Sequence, residues 1–194
     1  MTAFSGNWFQ RRAARRKAAS DAYRGLLRHA LDPVHYREFG VPDTFDGRAR
    51  MVTLLTSLAC VRLSQLGGPE AAGLIERLDA LVLDGFDAAY REKGVGDASI
   101  ARKVRALAQG HAGLGKALFA ALTSPDSAAK PQSVAEILRR NGAAAPDRID
   151  ALAAALAGLL ARFERQPDDE ILHGRFDWAG AGAAARRTAD HGRI

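Results

Sequence analysis

The chain has 194 residues, 47% of them hydrophobic and 26% charged, with a formal net charge of +6 and one cysteine. That length supports one domain with a proper core and excludes two sizeable ones, while a single cysteine excludes an internal disulfide and a thiolate-built zinc cluster. Abundant alanine and leucine with few aromatics favour helix over sheet. The expected fold class is therefore all-α: a single-domain bundle of about six helices over residues 18–166, with a flexible basic N-terminal arm over 1–17 and a flexible tail over 167–194.

The arm carries Arg11, Arg12, Arg15, Arg16 and Lys17 with no acid among them, so removing it leaves 6 − 5, a net charge of +1. Cations beside Phe4, Trp8 and Phe9 suit an anionic membrane surface or RNA, which leaves Trp8 and the five cations as candidate contacts; the competing reading is a solvated, disordered arm. The following residues hold Asp21, Arg24 and Arg28 where a secretory signal needs an uncharged apolar stretch. The longest apolar run, from Met51 to Val61, falls short of the roughly 20 residues that span a bilayer. The expected location is the cytoplasm or the inner face of the membrane.

Residues 18–31 place Ala22, Tyr23, Leu26, Leu27 and Ala30 on one helical stripe that ends at Asp32-Pro33, because the residue before proline avoids the α region. A short turn over Val34 to Phe39 follows. The loop G-V-P-D-T-F-D-G then offers Asp46 as an N-cap. From Arg48 to Leu66 apolar residues cover most of the circumference, as in a helix surrounded by others, and Cys60 reads as a small buried side chain within it. Gly67-Gly68-Pro69 breaks that helix. The next one sets Leu74, Ile75, Leu78, Leu81, Val82, Phe86 and Tyr90 inward.

After the stretch Y-R-E-K-G-V-G-D at 90–97, Ile100, Val104, Leu107, His111, Leu114, Leu118 and Ala121 recur at alternating spacings of four and three, the seam of a packed helix. Glycines 110, 113 and 115 point to a kink or a close backbone approach. Ser133 and Glu136 fit a capping box, and Asn141-Gly142 closes that short helix. A last helix opens at Pro146-Asp147 and buries Ile149, Leu152, Ala153, Leu156, Leu159, Leu160 and Phe163.

Local structure explains part of the stretch at 90–97. Gly94 in the left-handed region would allow a Schellman cap with a contact between Val95 and Tyr90, and Asp97 would cap the next helix. It does not explain why Arg91, Glu92, Lys93, Arg102, Lys103 and Arg105 crowd one end of the hairpin. A polar rim offered to a partner is one reading of them; a hairpin end that is only structural is the competing one, and the residues alone favour it.

The segment Y-R-E-K-G-V-G-D-A-S-I-A-R-K-V-R closely resembles a signature of the ubiquinol–cytochrome c reductase assembly chaperone family. The upstream F-G-V-P-D-T-F-D-G-R and the later Val61-Arg62-Leu63 resemble it too, over about residues 20–165. That resemblance implies an all-α protein without catalytic activity or cofactors, whose partner is newly made cytochrome b, with a small co-chaperone and the ribosome as further associates in mitochondrial members. It also implies a partner-binding rim: Asp43, Asp46, Gly47, Arg48, Arg91, Glu92, Gly94, Gly96, Asp97 and Lys103, with Arg48 and Arg91 as anchors. The pattern is broken at Ala49, Arg50, Leu55 and the triplet His111-Ala112-Gly113, so client affinity or identity differs if those positions touch the client.

Other chemistry finds little support. None of the five histidines pairs with another ligand at helical spacing except His29 with Asp32, and His111 reads as a satisfied core histidine. Gly94-Val95-Gly96 and Gly113-Leu114-Gly115-Lys116 lack the context of a nucleotide loop, and no serine sits in a nucleophile elbow. Asp168-Asp169-Glu170 reads as a solvated acidic turn. The alternative function is a basic helical RNA- or DNA-binding protein; an all-α enzyme with a site between helices ranks third.

Overall fold

A computed structural model describes residues 4–92, 97–126 and 128–179, and for residues 4–9, 11 and 97–99 the backbone alone. The helices are α1 (Phe4–Ala30), α2 (Pro33–Arg37), α3 (Phe45–Leu66), α4 (Gly68–Glu92), α5 (Asp97–Thr123), α6 (Lys130–Arg140), α7 (Ile149–Arg165) and α8 (Asp168–Leu172), with a 3-10 turn at Pro146–Arg148. The bundle is all-helical among the described residues. Six of these helices have at least 11 residues; the five-residue α2 and α8 raise the count above the six expected.

The centre is α3. Fourteen of its 22 residues are buried, including every position from Met51 to Ala59, so that stretch leaves no face for solvent. It packs against α1, α4, α5, α7 and α8. A helix this enclosed must satisfy its polar groups internally. The hydroxyls of Thr56 and Ser57 donate to the carbonyls of Val52 and Thr53 at 2.7 and 2.8 Å.

Helices α1 and α4 run in the same direction, since Arg15 lies against Gly73 and Tyr23 against Gly85. Helix α4 joins α3 through one turn at Gly67 and therefore runs back along it. The start of α3, the end of α4 and the end of α1 thus share one end of the bundle.

Several sequence expectations need correction. The basic segment is not a separate arm: α1 is continuous from Phe4, because arginine and alanine are strong helix formers and nothing breaks the run. The cap of α3 is Thr44, whose extended backbone lets its side chain accept from Gly47 N at 3.1 Å, and Asp46 lies in the first turn. Ser133 and Glu136 form no capping box. Helix α6 begins at Lys130 with Pro131 in its first turn, where proline is pre-set for helix, and Glu136 instead pairs with Arg139 at 2.9 Å. A Cβ on Gly110 or Gly113 would meet nothing within 4 Å, and one on Gly115 would lie 3.6 Å from Ser57 Oγ, so close approach does not explain these glycines. Cys60 is partly exposed rather than buried.

The tail expectation also changes. Residues 167–179 form α8 and a strap that returns across the core, while 180–194 lie outside the described residues. Phe176 is 7% exposed, and the rings of Phe176 and Trp178 meet Phe163 edge-on at 5.1 and 5.0 Å. The strap turns at Gly174 (φ +74°), where a Cβ would sit 1.9 Å from the Ala18 carbonyl oxygen. Arg62 secures it from below: its side chain, 8% exposed, donates to Phe163 O at 2.9 Å and Gln166 O at 3.4 Å and pairs with Asp168.

The buried arginine can be tested by truncation. Arg62→Ala takes the side-chain donor from Gln166 O and the cationic partner from Asp168, while Phe163 O keeps the Gln166 N–H at 3.2 Å, and should cost about 1–3 kcal/mol, with Arg62→Lys recovering only part because an ammonium cannot fork between the carbonyls. Urea unfolding measures both, and an Arg62→Ala midpoint equal to the parent's would contradict the role.

The buried histidines make the fold sensitive to acid. His35 donates from Nε2 to His29 O at 3.0 Å, and the remaining buried nitrogens, His29 Nε2 and His35 Nδ1, have no partner among the described residues. Burial, then the neighbouring His35 ring, lowers His29 from 6.5 to about 4 against a smaller raising effect of Asp32; burial also lowers His35. The unfolded chain takes up these protons near 6.5 while the folded one resists, so the stabilisation is complete above that pH and is lost as pH falls towards 4. The melting temperature should drop across that window, and His29→Gln should flatten the profile. A parent protein equally stable at both ends of the window would refute this.

Candidate functional site

The two motif regions, far apart in sequence, meet at one end of the bundle. The loop before α3 is extended, and Thr44 turns it into helix. The Phe45 ring then packs on Tyr90 near the end of α4, with centroids 4.4 Å apart. Gly47 is buried, and a Cβ there would lie 1.8 Å from the Pro42 carbonyl oxygen. The loop can fold onto the first turn of α3 only if that position has no side chain, so Gly47 shapes this corner of the bundle.

Arg48 pairs with Asp43 at 2.7 Å and lies 5.8 Å from the Tyr36 ring centroid, with more than half of each charged side chain exposed. The Asp43 carboxylate raises the Arg48 pKa further. Tyr36 anchors this corner by donating to Ala30 O at 2.7 Å. Across the end of the bundle, Arg91 pairs with Asp87 at 2.7 Å, one turn back on α4. Both arginines sit on the surface beside a carboxylate. Glu92 and Lys103 are exposed. Lys93, Gly94 and Gly96, and with them the Schellman cap, lie outside the described residues. Asp97 is the first residue of α5, and its capping role lies outside them too.

Between these elements is a cleft of about 340 Å³. Asp46, Arg50 and Thr53 line it from α3, Tyr90 from α4, Lys103 and Leu107 from α5, and Asn141 from the turn after α6. Its rim is polar. Its floor, which includes Ala49 and Leu114, is apolar, and Arg50 closes one side by donating to Gly142 O at 3.0 Å. Burial first and the Asp46 carboxylate second push the Tyr90 hydroxyl above its usual range, so it stays a protonated donor at neutral pH. Of the expected rim residues, Asp46 and Lys103 line the cleft, whereas Asp43, Gly47, Arg48, Arg91 and Glu92 are not among its lining residues. Periodicity marks Tyr90 only as an inward-facing and capping residue, and composition marks Asn141 only as a helix end, because no local pattern links them to α3.

His111 forms the inner wall. It is 7% exposed, with Nε2 2.9 Å from Asp79 Oδ1 and Nδ1 2.9 Å from Thr53 Oγ1. Nε2 donates to the carboxylate. Nδ1 either accepts from the Thr53 hydroxyl or donates to it while that hydroxyl donates to Ala49 O at 3.0 Å. The joint ties α3, α4 and α5 together, as expected of a satisfied core histidine. Of the positions where the motif is broken, Ala49, Arg50 and His111 line the cleft, whereas Leu55 is fully buried in the core. On the other side of His111, a mainly apolar groove of about 490 Å³ runs past Cys60, Leu83 and the exposed Phe119.

The other expected contacts sit elsewhere. Arg12, Arg15, Arg16 and Lys17 are exposed on the first half of α1, and the side chains of Trp8 and Arg11 lie outside the described residues. Because α1 and α4 run in parallel, that half of α1 is at the opposite end from Tyr90. Among the described residues, no three histidine, cysteine or acidic side chains gather as a metal would require.

Known proteins match this arrangement. A crystal structure of the Cbp3 homolog from Brucella abortus superposes with a TM-score of 0.74 at 25% sequence identity, covering 91% of this chain and 97% of that one. A search of curated proteins found no match. The family model described as ubiquinol-cytochrome C chaperone matches residues 37–178, a span that contains α3, both motif regions and the strap. The chain belongs to the ubiquinol–cytochrome c chaperone family.

Proposed function

We propose that this protein is a non-enzymatic assembly chaperone for the ubiquinol–cytochrome c reductase complex, and that it docks newly made cytochrome b at the cleft between α3, α4 and α5. The observation that carries the reading is the convergence of the two motif regions on one exposed cleft within the span that the family model matches. The cleft suits a polypeptide. An apolar floor gives a short segment something to bury, and a polar rim fixes its register. The ion pair of Arg48 with Asp43 is exposed and therefore worth little, so this arginine can exchange its carboxylate for one on a client at small cost.

Asp43, Asp46, Arg48, Arg91, Glu92 and Lys103 form the described part of the proposed docking rim, and Gly94, Gly96 and Asp97 are proposed to complete it. Ala49, Arg50 and His111 sit where the client would touch, so they are the positions at which client preference would differ within the family. A small co-chaperone would have room on the remaining surface. No helix among the described residues is long and apolar enough to cross a membrane.

Replacing both Arg48 and Arg91 with alanine should reduce co-purification of cytochrome b about tenfold or more, with an unchanged circular dichroism spectrum and melting temperature. Undiminished co-purification would remove the docking assignment. In a strain lacking the protein, normal b-type haem and normal quinol oxidation would remove the function.

A further inference from the structure

We propose that the cleft between α3, α4 and α5 selects a client segment carrying one carboxylate beside small apolar residues, and that Arg50 and Lys103 recognise the acid. The inference rests on the docking role proposed for this cleft and adds to it the chemistry of the segment that docks.

Charge in the cleft is arranged differently from charge around it. Arg48 and Arg91, which do not line the cleft, each pair with a carboxylate of the chain. Arg50 and Lys103 do line it, and among the described residues neither has a carboxylate within ion-pair distance. Local chemistry would allow Arg50 to be neutralised, since Asp46 precedes it by four residues on α3, the favourable order for an acid and a base on one helix face. The two do not pair. Arg50 instead donates to the Gly142 carbonyl at 3.0 Å, a neutral acceptor on the turn after α6. That bond holds the guanidinium in place, uses one of its five N–H donors and leaves its charge uncompensated. A cation held in this way loses little conformational entropy when it meets an anion.

The remaining polar groups decide which anion fits. The Tyr90 hydroxyl and the Lys103 ammonium make no hydrogen bond among the described residues, so both are available as donors. Asn141 uses its amide N–H on Ile137 O at 2.8 Å, which leaves its side-chain carbonyl as an acceptor. Asp46 is a second acceptor. Donors on Arg50, Lys103 and Tyr90 suit a carboxylate, and the two acceptors suit the backbone N–H groups on either side of it. A polyanion such as RNA or an anionic bilayer would set further negative charge against Asp46, whereas a lone carboxylate within an otherwise neutral peptide does not. The apolar floor of Ala49, Leu107 and Leu114 takes small apolar neighbours. Gly110 makes room for them: it lines the cleft and is exposed, and a Cβ there would meet nothing within 4 Å. Packing of the bundle does not require glycine at that point, and glycine weakens a helix, so the space it leaves serves what enters the cleft.

The test is an array of short overlapping peptides covering cytochrome b, each in its natural form and with every Asp and Glu replaced by Asn and Gln, probed with the full chain. Retention should concentrate on segments that hold an acidic residue, and their amide forms should bind roughly tenfold more weakly. Arg50→Glu/Lys103→Glu should lose the same segments with little change in melting temperature, and Arg50→Lys should keep part of the binding. If the loss of the Gly142 contact unfolds that variant, Lys103→Glu alone, on an exposed side chain, takes its place and should also weaken retention. Gly110→Leu should obstruct the same segments while leaving α5 at least as good a helix. Equal retention of natural and amide forms, or equal retention by the parent and the charge-reversed variant, would overturn the acid selectivity, and cytochrome b that still co-purifies with the parent would then keep the docking role. An array on which the parent retains no segment would overturn it too. So would a dimer of the parent in solution that Arg50→Glu/Lys103→Glu dissolves, because the cleft would then belong to a second copy of the chain. Failure of cytochrome b to co-purify with the parent would instead remove the docking role itself.

Discussion

The structure depends on satisfying a helix whose middle has no solvent face. Because the middle of α3, from Met51 to Ala59, is enclosed on all sides, each polar group there must find a partner inside the protein, and those partners fix where the neighbouring elements sit. Thr53 reaches His111, and through it Asp79, so α5 and α4 are held to α3 at one level. Arg62, further along the helix, reaches the end of α7 and the strap. Two buried polar residues thus position the wall of the cleft and the cover of the opposite side. Apolar burial supplies the stability of the bundle, but it is non-directional; the hydrogen bonds make this arrangement specific.

The cleft follows from that frame. Phe45 on Tyr90 and the close approach of Pro42 to Gly47 bring the loop before α3 against the end of α4, and the return of α5 adds Lys103 and Leu107. The result is a shallow, mixed surface in which the charged groups stay outside and are only loosely paired. At the far end of the same bundle, α1 carries a run of positive charge.

Much of the fold is legible in the sequence because burial is written into helical periodicity. The apolar residues of α3, α4 and α7 lie where their stripes require, and Asn141-Gly142 ends α6 as its composition suggests. The cap of α3 is ambiguous in sequence because Thr44 and Asp46 are both good caps two residues apart, and only the extended backbone at Thr44 decides between them. The strap is invisible there because Phe176 and Trp178 follow no period and meet partners on other helices. Arg62 hides inside an apolar run, its role defined by a carbonyl 101 residues distant. At the site, the motifs name Asp46 and Lys103, while Arg50 stands out only as a break in the pattern; Tyr90 and Asn141 come to the cleft only through tertiary packing.

If the cleft between α3, α4 and α5 receives cytochrome b, contact between the two is directly measurable. A photo-crosslinking amino acid is placed at Lys103, in the cleft, or at Glu70, at the far end of α4, in cells making cytochrome b. Irradiation should give a cytochrome b adduct from position 103 and none from position 70. Equal adducts from both positions, or none from position 103 in a folded protein, would contradict the account.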